Sequence, residues 1–200
     1  MTDLDLARRE VSQSSAGGAA FLICFGASLL VCAVLSFFLP VRQAALAVMF
    51  QGGIALPCAF LLERRMAWGP MAKDNPLNVL SVQLAMSQIV AFPIVVAMFD
   101  LRPGAVPLAM ASIAGGHFLP YAWLQRTNVY IWLGVVVSAG ALALQMALGS
   151  RAFPFILMLM TASYWVGAVL VRRAAWRLTG GSDRVRHGSD QWSDPCLTRV

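Results

Sequence analysis

The chain has 200 residues, 59% of them hydrophobic and only 12% charged, with a formal net charge of +6 and a mean hydropathy of +0.71. A soluble domain is about half apolar and a quarter charged, so this composition excludes an ordinary water-soluble domain and points to a chain that lives in lipid. The basic balance flanks apolar runs, where anionic headgroups are the natural partner, so it speaks for membrane insertion and against a nucleic-acid partner.

In chain order, residues 1–15, "MTDLDLARREVSQSS", read as a short cytoplasmic segment. Leu4, Ala7 and Val11 share one helical face there, which suits a brief surface-lying helix. Six charge-free windows follow, Val11–Val41, Gln43–Leu62, Asn75–Phe99, Pro103–Gln125, Thr127–Ser150 and Ala152–Val171. A helix needs roughly 20 mostly apolar residues to cross about 30 Å of hydrocarbon. The windows predict six spans, at about 16–39, 41–62, 77–99, 104–124, 128–148 and 152–171, inside a transmembrane domain of residues 16–175. They are too long and too uniformly apolar for barrel strands. The first has no A-x-A site and a longer apolar stretch than a signal peptide, so a retained helix is expected. Asn75 is placed to cap the third span, with Pro76 in its first turn. Residues 176–200 are polar, aperiodic and rich in Gly, Ser and Asp, and predict a disordered cytoplasmic tail.

Counting Lys and Arg sets the orientation. One side receives Arg8, Arg9, Arg64, Arg65, Lys73, Arg126, Arg172, Arg173, Arg177, Arg184, Arg186 and Arg199, the other only Arg42, Arg102 and Arg151. Positive-inside places both termini in the cytoplasm.

"QGGIALPCAFLLERR" and "AGGHFLPYAWLQRTN" are echoes of each other. At an offset of 63, Gly52, Gly53, Leu56, Pro57, Ala59 and Leu61 match Gly115, Gly116, Leu119, Pro120, Ala122 and Leu124. The unit predicted is a two-helix hairpin, spans 1–2 repeated as 3–4 in parallel orientation. The paired glycines let a neighbouring helix approach, and Pro57 and Pro120 each remove a backbone hydrogen bond and kink the helix.

Only the second copy carries a histidine. His117 is the one ionisable side chain well inside a span, and an imidazole titrates near physiological pH. At 1.5 Å per residue, Gln83, His117 and Tyr164 lie roughly 10 Å from the cytoplasmic end, and Gln51, Ser87, Gln88, Ser138 and Thr161 at about 15 Å. Gln83 and Ser87 share a face, as do His117 and Tyr121. Polar groups at that depth either line a path or tie helix to helix. Both readings stand: a small permease or channel-like module with His117, Gln83, Gln88 and Tyr121 around a polar cavity, or a non-transporting scaffold or accessory subunit.

No enzyme is expected, because the spans hold no carboxylate pair and the chain has no HExxH, GxSxG or Walker loop. A Ser87–His117 couple lacks an orienting acid. The four cysteines show no CxxC or Cys/His spacing, so neither a metal nor another cofactor is implied. The partners expected are the bilayer and, by the small size of the bundle, a second copy in a homo-oligomer; the substrate is unknown.

Residues Asn75-Pro76-Leu77, Gln88, Gly116-His117, Leu119-Pro120-Tyr121, Trp123-Leu124, Arg8-Arg9-Glu10 and Gly17-Gly18 together resemble a bacterial multi-pass membrane family of unknown function. The similarity covers roughly residues 5 to 175, with Gly115 where alanine is usual. The resemblance implies a small integral protein of the bacterial inner membrane and names no activity.

Overall fold

A computed structural model of the chain describes residues 3–69, 72 and 74–179. Among them the backbone is all helical, with no strand: α1 (Asp3–Ser14), α2 (Ala19–Leu35), α3 (Val41–Phe50), α4 (Gly52–Met66), α5 (Leu77–Leu101), α6 (Val106–Leu124), α7 (Val129–Leu148) and α8 (Ala152–Thr179). Lipid offers no partner for a bare N–H or C=O, so an apolar chain satisfies its backbone within each segment.

Among the described residues four stretches are long and apolar enough to cross a membrane: Ala16–Leu35, Val41–Met66, Leu77–Leu101 and Val129–Leu178. The second joins α3 and α4, which are interrupted at Gln51 although that residue keeps helical angles. Pro57 lies within two turns and cannot donate to the Gly53 carbonyl. The fourth stretch contains α7 and α8, joined by a short turn at Gly149–Arg151. α6, with 19 residues that include Gly115, Gly116, His117 and Pro120, is not one of the four.

The chain turns from α1 into α2 on Gly17 and Gly18, both left-handed at φ +69° and +79°. A Cβ on Gly17 would lie 2.8 Å from the Val171 carbonyl oxygen, and one on Gly18 would lie 2.5 Å from the Tyr130 hydroxyl. Conformation and space both demand glycine at this corner.

α2 packs along α8, α8 along α7 and α7 along α6, and these helices hold most of the core. Leu29, Ile156, Leu157 and Met160 are its largest fully buried members. α4 lies against α2, and α5 lies against α6. α3 reaches α5 and α6 from the end opposite α1, whereas α4 and α5 do not pack along one another. α5 buries only Leu77 and Val95. Its outer face carries Val90, 83% exposed, and Leu101, 79% exposed. A continuous apolar surface of this kind fits lipid and not water.

Two helix ends differ from the sequence expectation. α2 stops at Leu35 and residues 36–39 form a turn, because Leu39 precedes Pro40 and is steered away from helical angles. α8 runs on to Thr179, so residues 176–179, expected in the tail, continue the helix. Charge ends a membrane span without ending a helix. The rest of the expected tail, residues 180–200 with His187, Cys196 and three of the counted arginines, lies outside the described residues, as does Lys73.

Candidate functional site

The polar residues of the apolar segments fall into two groups. In the first, each side chain reaches another helix or turn. Thr161 Oγ1 donates to the Gly26 carbonyl at 3.2 Å, and Trp165 Nε1 donates to the Ile23 carbonyl at 3.3 Å, tying α8 to α2. Ser28 on α2 donates to Gln51 Oε1 at the α3–α4 interruption. The Tyr130 hydroxyl on α7 donates to the Gly17 carbonyl at 2.5 Å. Each supplies what lipid cannot, a partner for a buried polar atom.

The second group sits where α5 meets α6. His117 is half-buried, with Nδ1 3.4 Å from the Ser87 hydroxyl, a long contact. Ser87 itself donates to the Leu84 carbonyl at 2.7 Å. One turn on, the Tyr121 ring meets His117 edge to face at 5.0 Å, and its hydroxyl donates to the Ser81 carbonyl at 3.4 Å. Gln83 is exposed and Gln88 half-buried, and among the described residues neither amide has a hydrogen-bond partner. His117 and Tyr121 of α6 therefore meet Ser87 and Ser81 of α5 along this seam, while Gln51 and Thr161 belong to the ties. From Tyr121 a chain of rings continues inward through Tyr130 at 5.8 Å and Phe118, 5.8 Å further, to Tyr164 at 5.5 Å.

Sequence reasoning missed Glu63. It follows the second charge-free window, on the last turns of α4, and is half-buried.

The paired glycines divide within each pair. A Cβ on Gly115 would meet Ser138 and lie 2.7 Å from the Gly134 carbonyl oxygen, so α6 and α7 touch backbone to backbone there. Around Gly52 the nearest atom is on Phe25 at 3.7 Å, and around Gly53 and Gly116 nothing lies within 4 Å. Pro120 sits inside an unbroken α6, in contrast to the interruption upstream of Pro57.

The site's α1 end is closed by one polar node. Asn75 Oδ1 accepts from the Leu77 N–H at 2.9 Å, capping α5, while its amide donates to Glu10 at 2.9 Å and to the Ala7 carbonyl at 3.1 Å. Arg8 stacks over Trp123 at 4.5 Å and donates to its carbonyl. Burial, then neighbouring Arg126, lower the Arg8 guanidinium from its ordinary value, and Asp5 opposes them. The motif residues of α1, α5 and α6 are thus one hydrogen-bonded assembly. Among the described residues no three metal-ligating side chains come together.

The chain matches the family of unknown function (DUF7010) over residues 4–174, which takes in α1 through most of α8. No curated protein matches it, and no solved structure does. The chain belongs to that family.

Proposed function

We propose that this family member is a small permease or channel-like module of the bacterial inner membrane, with six helical crossings, both termini cytoplasmic and a polar cleft beside His117. One observation carries the reading: the in-membrane polar groups do not share one fate. Those between α2, α7 and α8 spend their hydrogen bonds on backbone carbonyls of other elements. On α5, Gln83 and Gln88 have no hydrogen-bond partner among the described residues, and His117 is only loosely engaged at the α5–α6 seam. Hydrocarbon makes unused polar groups costly, so their retention fits a water- or solute-filled path.

α5 supports the same reading. It packs chiefly on α6 and leaves α4 free, so the seam is framed by a peripheral helix and not locked in the core. Gln83, Gln88, Ser87 and Tyr121 offer hydrogen bonds, and His117 offers a proton site. The six-crossing count adds α6 to the apolar stretches and separates α7 from α8. The Lys and Arg distribution supplies the orientation. The parallel hairpin repeat rests on the offset-63 identities.

The alternative is a non-transporting scaffold or accessory subunit, favoured by the ties of α2 to α8 and α7. Proton flux into dye-loaded proteoliposomes, driven by an imposed potential, separates the two. Under the permease reading the wild type conducts, and His117→Ala lowers or pH-shifts the flux with an unchanged melting temperature in detergent. Under the scaffold reading there is no flux to lose and the variant melts earlier.

A further inference from the structure

The described residues also form a cleft away from the His117 seam. It has a volume of about 410 Å³ and is lined by Trp68, Val169, Arg172, Arg173, Trp176 and Arg177. The five α8 residues fall at spacings of 3, 4, 7 and 8 from Val169, which is one face of a helix. Trp68, from the connection after α4, forms the opposite wall. Its ring meets Trp176 edge to face at 5.8 Å, and its N–H donates to the Gln13 carbonyl at 3.2 Å, which pins that wall to α1.

Three guanidiniums share this cleft, and among the described residues none of them has an ion pair or a side-chain hydrogen bond. Two acids of α1 are engaged elsewhere, Asp5 with Arg126 and Glu10 with Asn75. Arginine forks match phosphate oxygens in bidentate geometry. Three arginines on one helix face thus present a surface whose chemistry matches a phosphate group.

What lies beside it decides the source of that anion. The same face of α8 continues away from the arginines through exposed Val169, Trp165, Val166 and Ala162, a stripe with no charge. Tryptophan pairs of this kind favour the headgroup level of a bilayer. We propose that the cleft binds an anionic glycerophospholipid, with its phosphate between Arg172, Arg173 and Arg177, its glycerol region against Trp68 and Trp176, and an acyl chain along Val169, Val166 and Ala162. Free phosphate would use only the polar half of this surface. The site needs α8 to lie in the bilayer and is independent of what the His117 seam does.

The test is native mass spectrometry of the full chain released from micelles doped with phosphatidylglycerol or phosphatidylcholine. The wild type retains one phosphatidylglycerol and does not retain phosphatidylcholine. Arg172→Gln/Arg173→Gln weakens that retention about ten-fold, whereas Arg64→Gln/Arg65→Gln changes it less than about two-fold. Equal retention of the two lipids by the wild type overturns the proposal without reference to any variant. So does an equal loss in both double variants, which is diffuse surface charge. Displacement of phosphatidylglycerol by millimolar inorganic phosphate assigns the cleft to a free anion and overturns it too. Should the double variant melt early, Arg177→Gln replaces it and is expected to weaken retention in the same direction.

Discussion

Gly115 on α6 and Gly134 on α7 meet backbone to backbone: a Cβ on either would lie 2.6–2.7 Å from the carbonyl oxygen of the other. Side chains on a bundle of this kind cannot simply move aside, because the obstacle is main chain. Gly115→Ala therefore forces α6 off α7 and is expected to destabilise by about 1–3 kcal/mol. Gly116→Ala, with nothing within 4 Å, should stay within about 0.5 kcal/mol of wild type. Thermal melts in a single detergent compare the two.

At the α1–α2 corner the Tyr130 hydroxyl is buried and holds the Gly17 carbonyl. Tyr130→Phe keeps the ring and removes the donor, leaving a buried carbonyl without its partner at a cost of about 1–3 kcal/mol. Gly18→Ala should be worse, since it adds left-handed strain to a 2.5 Å collision with that same hydroxyl. Hydrogen exchange at the start of α2 reads both effects locally.

The two polar groups predict opposite responses to apolar replacement. Thr161→Val removes a tie from α8 to α2 and should lower stability by about 0.6 kcal/mol, the usual size of an interhelical hydrogen bond in lipid. Gln88→Leu removes an amide with no hydrogen-bond partner among the described residues, so stability should hold or rise. A fall in melting temperature for Gln88→Leu as large as for Thr161→Val would erase the distinction between ties and seam.

Asp5 and Arg126 form an ion pair at 2.6 Å, with side chains 33% and 27% exposed. Solvent screens such a pair, so Asp5→Asn should cost about 0.2–1 kcal/mol. Melting at low and at 1 M salt checks it, because the difference from wild type should shrink as screening increases.

Much of the fold is legible in the composition, and the reason is physical. A run free of charge and long enough to cross lipid has few alternatives to a helix, so the α5 and α7 windows end within a few residues of their helices. Local capping at Asn75 is equally readable, since it depends on neighbours in sequence. The helix ends at Leu35 and Thr179 are less so, because a turn before Pro40 and an amphipathic continuation past Val171 change nothing in the charge pattern.

The site was legible only in part. Spacing alone puts His117 and Tyr121 on one face of α6 and Gln83 and Ser87 on one face of α5, but not that these two faces meet. The Trp68–Arg172 cleft is not legible there, since it joins residues of different segments through packing that apolar side chains specify without a pattern. Paired glycines are similarly ambiguous: Gly115 and Gly116 look alike in sequence, and only the position of α7 leaves Gly115 without room for a Cβ in this chain.

Water reaching His117 from the cytoplasmic side is the point on which the functional account stands. His117→Cys, in a chain whose Cys24, Cys32, Cys58 and Cys196 are alanine, should react with a membrane-impermeant maleimide in inside-out vesicles and be protected in right-side-out ones. Labelling from neither face would leave the seam dry and the histidine a structural group, and labelling only from the outer face would reverse the orientation.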